Sequence, residues 1–402
     1  MAEKLVPNLR FAGFNDEWVS QKFKDNLDIK SGKGFKASEY SKIGIPLLKI
    51  DNVSYGKVSW ETKDYLPQDY LDKYPGLVLK ANDIVLALNR PITNNKLKIA
   101  KLTKEDEISI LYQRVGKIFV NEDLINKEFI FQLLNKEIFR FVLKNSVGSD
   151  QPFISTNQLK ELEFNVPQFE EQEKIGKFLF FINAKIELLE KQYHAYKNFK
   201  KYLMQQIFTQ KLRFNFTDEW EKYLLGDISL IGKGFTPSTS NPSFWDGDLK
   251  WLSIADMNQG KYINQTTKKI TSDGSKNKEP VKKGTLLMSF KLSIGKLGIL
   301  TEDMYTNEAI CNFKWKNKDV LTEYMYYYLS SINILKYGSQ AAKGITLNNE
   351  TLSTIPVLLP SLEEQKKIIN ILSDVDLKIS MLENSINDTS KFKKGLLQQM
   401  FV

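Results

Sequence analysis

One long segment occurs twice in the chain. Glu170-Glu171-Gln172-Glu173-Lys174-Ile175 returns as Glu363-Glu364-Gln365-Lys366-Lys367-Ile368, and Phe199-Lys200-Lys201 with Gln205-Gln206 returns as Phe392-Lys393-Lys394 with Gln398-Gln399, always 193 positions on. Matched motifs in fixed register mark an internal duplication. Each copy also spaces mostly apolar residues alternately by four and three: Ile175, Leu179, Ile182, Ile186, Leu189, Tyr193, Tyr196, Lys200, Leu203 and Ile207, then Ile368, Leu372, Val375, Ile379, Leu382, Ile386, Thr389, Lys393, Leu396 and Met400. A repeat averaging 3.5 residues keeps one stripe against a partner helix. Two paired helices of about 35 residues, roughly 50 Å at 1.5 Å per residue, are therefore expected in place of two ordinary core helices. Ser361 can cap the second, with Glu364 reaching back to it and Pro360 blocking extension upstream; Gln168 makes a weaker cap for the first.

The repeat extends beyond the helices. Leu9-Arg10-Phe11 and Asp16-Glu17-Trp18 recur as Leu212-Arg213-Phe214 and Asp218-Glu219-Trp220, and Gly32-Lys33-Gly34-Phe35 as Gly232-Lys233-Gly234-Phe235. Short apolar runs bounded by glycine, such as Asp83 to Ala87 and Thr285 to Ser289, read as strands, and Phe129 to Leu143 or Tyr324 to Leu335 as a helix. Each half is thus a mixed strand and helix domain with a long helix behind it: residues 1–165, helix 166–210, residues 211–359, helix 360–402. The fold class is α+β. If both halves share one internal geometry, the helices pack antiparallel about a pseudo-two-fold axis and residues near the two chain ends meet. Two unlike domains in one chain can then grip two unlike half-sites, where a true homodimer would read a palindrome with half-sites about 34 Å apart.

A chain of 402 residues, 42% hydrophobic and 26% charged, has room for two or three soluble domains. No apolar run is long enough to span a bilayer, and charges occupy the amino-terminal stretch where a secretory apolar core would lie, so a cytoplasmic protein is expected. One cysteine, Cys311, allows no internal disulfide, and a single histidine, His194, leaves the usual transition-metal ligands missing. His194 falls on what should be a solvated flank of the first helix. The net charge is +9, while the two helical segments carry seven lysines against five acids and six against six. The basic excess therefore sits in the globular halves, where it suits phosphate binding.

At this point the sequence resembles the specificity subunit of type I restriction-modification systems. The resemblance rests on Pro167 to Ile175 and Pro360 to Ile368, on the Lys-Lys-x-Leu-x-Gln-Gln helix ends, and on Thr236-Pro237-Ser238 leading through Trp245-Asp246-Gly247-Asp248 to Trp251-Leu252-Ser253. It implies two target-recognition domains separated by an antiparallel coiled coil, a bipartite double-stranded DNA site, and two docked methyltransferase subunits with restriction and translocase subunits beyond them. It further implies a non-catalytic chain, with S-adenosylmethionine, ATP and Mg bound by the partner subunits. The first half departs from the pattern, with Lys36-Ala37-Ser38 where the second has Thr236-Pro237-Ser238.

Candidate DNA-reading residues cluster in polar loops between the strands: Asn89, Arg90, Asn94, Asn95, Lys96, Lys98, Gln113, Arg114 and Gln151 in the first half, and Ser240, Asn241, Lys291, Ser293, Lys296, Asn307, Gln340 and Lys343 in the second. Arginine pairs bidentately with guanine and asparagine or glutamine with adenine, while lysine neutralises phosphate. Three competing readings stand beside these. Gly32-Lys33-Gly34-Phe35 and its twin could cradle a phosphate, but lack the further spacing of an ATP loop and suit a tight turn better. Asn241-Pro242-Ser243-Phe244 approximates the Asn-Pro-Pro-aromatic motif of free-standing adenine methyltransferases. A stand-alone DNA-binding regulator using the coiled coil as a spacer is the third. Glu170-Glu171 and Glu363-Glu364 are expected to serve the helix dipoles.

Overall fold

The structure, a computed structural model, describes residues 5–145, 152–291, 293–341 and 344–402. The chain forms two compact units, Met1–Leu189 with Ser385–Val402 and Glu190–Asn384. The long helices run Phe169–Phe208 and Leu362–Gln399, so each contributes a stretch to both units. In the first unit Ile175, Leu179 and Ile182 are buried with Leu396 and Met400. In the second, Leu203 and Ile207 are buried with Ile368, Leu372 and Val375. Within each unit the start of one helix thus lies with the end of the other, the antiparallel arrangement the doubled sequence predicts. Every seam residue named above is buried or half-buried, and His194 is exposed.

Both units repeat one sheet design. In the first, strands Leu27–Ser31, Val115–Val120, Ile84–Ala87 and Ile99–Lys101 lie side by side, all antiparallel. Beside them Ile45–Leu48 pairs in parallel with Ser109–Leu111. In the second, Ser229–Lys233, Ile310–Trp315, Leu286–Ser289 and Leu297–Leu300 follow the same order, and Trp245–Leu252 pairs in parallel with Tyr305–Thr306. A helix, Lys127–Asn145 or Thr322–Ser331, buries one face in the same cluster as its sheet and long helices. The second of these is shorter than the sequence predicts, giving way to a 3-10 turn at Ile334–Tyr337.

The repeated Glu-Glu-Gln motif proves to be a clamp. Arg10 donates from Nε and Nη2 to the two oxygens of Glu171, each at 2.7 Å, and Arg213 does the same to Glu364 at 2.7 and 2.9 Å. Both carboxylates are sealed from solvent. Gln172 accepts from the Asn126 amide and donates to the Pro167 carbonyl, while Gln365 accepts from Leu321 and donates to Asp319 and Pro360. Ser361 caps the Glu364 amide at 3.4 Å as expected, but Glu364 does not reach back to it. Its side chain is taken by Arg213 and by Trp220 Nε1 at 3.0 Å. Only Glu170 and Glu363, both exposed, are left free of the clamp to face the helix dipole.

The paired Gly-Lys-Gly-Phe motifs are neither phosphate loops nor tight turns. Each continues an extended strand past a neighbouring backbone, and their register differs from the motif match by two residues. Gly32 donates to the Val115 carbonyl and Gly234 to that of Ile310, so Gly32 corresponds to Gly234. A Cβ on Gly32 would stand 2.4 Å from the Leu111 carbonyl oxygen, and one on Gly234 would stand 2.0 Å from that of Thr306. Glycine is required at this place because two backbones touch there.

Candidate nucleic-acid interface

In the first unit four candidates converge. Asn89, Arg90, Gln113 and Arg114 line a cleft of about 460 Å³ together with Lys49, Ile50, Asp51 and Tyr112. The loops are fixed to each other by backbone: Leu88 donates to the Arg114 carbonyl at 2.8 Å, Gln113 to Lys33 at 3.0 Å, and Arg90 to Pro152 at 2.9 Å. Arg90 and Arg114 both sit at positive φ, 45° and 67°, a conformation that disfavours a long side chain. Among the described residues neither arginine is held in an ion pair, so their donors remain available.

The other candidates of this unit flank the cleft on a projecting hairpin. Strands Ile92–Thr93 and Lys96–Leu97 are joined by Asn94 and Asn95, whose φ angles of 51° and 56° give the two-residue turn its favoured hand. Asn94 donates to the Tyr55 hydroxyl at 3.2 Å, and the Lys96 ammonium lies 5.5 Å from the centre of the Tyr55 ring. Lys98 points inward instead, donating to the Ile50 carbonyl, and burial pulls its pKa down. It braces the cleft floor and is poorly placed for phosphate. Gln151 lies outside the described residues.

Sequence reasoning overlooked the aromatic residues of this face. Lys49 lies 5.1 Å from the Tyr40 ring and 5.5 Å from Tyr112, while Lys33 lies 4.4 Å from Tyr74 and bonds its hydroxyl at 3.0 Å. Burial lowers the Lys49 pKa, but the Asp64 carboxylate and Tyr40 outweigh it and hold the ammonium charged. Burial raises the Tyr40 hydroxyl, and its bond to Tyr112 adds to that. The signal was in the sequence as tyrosines dispersed among lysines, but only the fold brings Tyr40, Tyr74 and Tyr112 to one place.

In the second unit the candidates divide. Lys291 and Ser293 are exposed. Lys296 holds the loop by backbone, its amide donating to Ser289 Oγ at 3.0 Å. Ser240 bonds Ser238, and Asn241 caps the turn Pro242–Phe244, its Oδ1 accepting from both the amide and the hydroxyl of Ser243. An asparagine so engaged is unlike one poised to hold a target amino group. Asn307 is likewise committed, donating to Thr236 at 3.0 Å and accepting from the Ala309 amide at 2.8 Å. Gln340 lies on strand Ser339–Ala341, and Lys343 lies outside the described residues. Lys278 and Lys268, not anticipated, stack 4.9 Å over Phe235 and 5.4 Å over Trp245.

Among the described residues no cluster of three or more histidine, cysteine or carboxylate ligands is suited to a metal, and no helix is long and apolar enough to cross a membrane. The profile of the family described as "Type I restriction modification DNA specificity domain" matches residues 15–198 and again 217–389. The chain belongs to the type I specificity family. The MjaVIII specificity subunit of Methanocaldococcus jannaschii is 46% identical over 199 residues, covering 49% of this chain and 47% of that protein. The Escherichia coli EcoBI specificity subunit is 23% identical over 96% of this chain and 85% of its own length. The crystal structure of a type I S subunit from M. genitalium superposes with a TM-score of 0.64 at 14% identity, covering 99% of both chains, so the fold is that of the family's subunits.

Proposed function

We propose that this chain is the DNA-recognition subunit of a type I restriction-modification complex, each unit reading one part of a bipartite double-stranded site. The observation that carries this reading is the double occurrence of one scaffold whose loops differ in the two copies: the first unit places Arg90, Gln113 and Arg114 at a cleft, whereas the second has no arginine there. Arginine clefts with neighbouring stacked lysines and tyrosines suit base edges and phosphates together. The surrounding strands are hydrogen-bonded into sheets and largely buried, so they can hold such loops in register.

Partner docking is part of the same proposal. Leu188 and Phe392 are exposed on the long helices in the first unit, and Met381 and Phe199, their counterparts 193 positions away, are exposed in the second. Apolar side chains held out on a helix face support a protein partner, and their recurrence supports two like partners. These would be methyltransferase subunits, through which restriction subunits join. The chain itself is non-catalytic in this reading, with S-adenosylmethionine, ATP and Mg on the partners and the assembly in the cytoplasm. Footprinting of the assembled complex should reveal two short protected base sets flanking sequence-indifferent base pairs; one continuous protected site would overturn the proposal. The free-standing methyltransferase reading is disfavoured by the committed Asn241 side chain.

A further inference from the structure

The two units can be aligned residue by residue through their backbone hydrogen bonds, without using sequence similarity. Tyr112 donates to the Leu48 carbonyl, Val115 to Tyr112 and Leu88 to Arg114. In the second unit Asn307 donates to Leu252, Ile310 to Asn307 and Phe290 to Ala309. These bonds make Gln113 and Arg114 the counterparts of Glu308 and Ala309, and Asn89 the counterpart of Lys291. Further on, Ala87 donates to Lys98 and Ser289 to Lys296, so the intervening loop is four residues shorter in the second unit, and among the described residues it carries no counterpart of the Asn94–Asn95 hairpin.

The loop tip thus changes sign between the copies. Where the first unit exposes an amide and a guanidinium, the second exposes a carboxylate followed by a buried alanine. Glu308 is exposed, and among the described residues no lysine or arginine pairs with it. It accepts the Thr236 hydroxyl through Oε2, which fixes the carboxylate and leaves Oε1 open. Thr236 is held in turn by Asn307 at 3.0 Å. A carboxylate cannot serve phosphate, so on a DNA-facing loop it can contribute only by accepting from an amino group. In the major groove those groups are cytosine N4 and adenine N6, whereas arginine matches the O6 and N7 acceptors of guanine.

We propose that these equivalent loops read opposite hydrogen-bonding edges: Arg114 with Arg90 takes the acceptor edge of a guanine, and Glu308 takes the amino group of a cytosine or adenine. This rests on the DNA-recognition reading above. Thr236 and Asn307 are positioning residues for Glu308.

The test uses the full chain assembled with its methyltransferase subunits. The wild-type motif is first determined by methylation-sensitive sequencing, and then a panel of duplexes carrying each single base-pair change is ranked by competition binding. Glu308→Gln should lower discrimination at one base pair of one half-site about tenfold, leaving the other half-site unchanged. Arg114→Ala should do so at one G·C pair of the opposite half-site, and 7-deazaguanine at that pair should weaken the wild type but not Arg114→Ala. Uniform weakening across the panel, or unchanged discrimination in both variants, would overturn the inference while leaving the DNA-recognition reading intact. A wild-type complex with no two-part motif would instead overturn that reading.

Discussion

At the residue scale, the chain repeats positions more faithfully than it repeats residues. Asn52 and Asp256 hold the same turn, each accepting from the backbone amide three residues before it, Lys49 or Ser253, at 2.9 Å. The rest of each environment decides the side chain. Asn52 also faces two carbonyls, of Ser59 and Thr62, to which its amide donates. Asp256 instead faces the hydroxyl of Ser253 and both the amide and hydroxyl of Thr267, all donors. Burial would raise the Asp256 pKa, but these bonds outweigh it and hold it below the ordinary 3.8. A depressed folded value means that the stabilisation is full above the unfolded pKa and drains away as pH falls through the folded one. Asp256→Asn should therefore cost about 1–2 kcal/mol near neutrality, by turning an NH2 towards donors, and should flatten the acid limb of a stability curve below about pH 4. Chemical denaturation at a series of pH values checks both, and an unchanged acid limb would remove the assignment. The Arg10–Glu171 and Arg213–Glu364 clamps belong to the same scale. Both motifs were visible in the sequence as repeats, yet their pairing was not, because the partners lie 161 and 151 residues apart.

Elements were legible where a period carried the information. The alternating four and three spacing marked the buried stripe of both long helices, because a helix that packs along its length must repeat its apolar positions. It even placed polar residues correctly. Lys200 sits half-buried on the seam and pairs with Asp376 at 2.5 Å, and Asp376 also accepts from Tyr327 at 2.7 Å. Burial raises the Tyr327 hydroxyl far above its usual value and lowers the Lys261 ammonium that bonds it. A polar knot of this kind fixes register within the second unit. The Gly-Lys-Gly-Phe motifs misled by two residues, since the need for glycine arises from the strand next to it and leaves no periodic trace. On the second helix, Leu372 is wholly buried whereas Leu377, five residues on, is 56% exposed. Leu372→Ala should cost about 2–5 kcal/mol, while Leu377→Ala should stay within about 0.5 kcal/mol in the isolated chain. Thermal denaturation separates the two, and equal losses would contradict the seam. The loops gave least: polar residues were easy to nominate, but the sequence did not distinguish Asn241 and Asn307, which bond their own loops, from Arg90 and Arg114, which do not.

On the scale of the whole molecule, the duplication makes one junction twice by different means. After the first long helix the chain turns within a few residues, and Leu212 donates its amide to the Gln206 carbonyl at 3.1 Å. At the end of the second helix the same bond is made by Leu9 to Gln399 at 2.9 Å, between residues at opposite ends of the sequence. The aromatic caps correspond as well. Phe208 meets Tyr324 and Tyr328 edge-on at 6.0 and 5.5 Å, while Phe401 stacks on Phe129 at 5.5 Å and meets Trp18 edge-on at 6.1 Å. In the second unit the peptide chain itself keeps helix and domain together, so the aromatic contact adds to a tether. In the first unit the Leu9–Gln399 hydrogen bond and side-chain burial hold Ser385–Val402 in place. A phenylalanine lost from a core costs about 3–5 kcal/mol, and that loss falls hardest where no tether limits the separation. Phe401→Ala should therefore release the end of the second helix and raise amide hydrogen exchange in strands Leu27–Ser31 and Val115–Val120, with those of Ser229–Lys233 and Ile310–Trp315 unaffected. Phe208→Ala should raise exchange less in its own unit. Equal loss of protection in both units from Phe401→Ala would show that they do not hold their cores separately, and one unit could not then be exchanged for another reader without disturbing its neighbour.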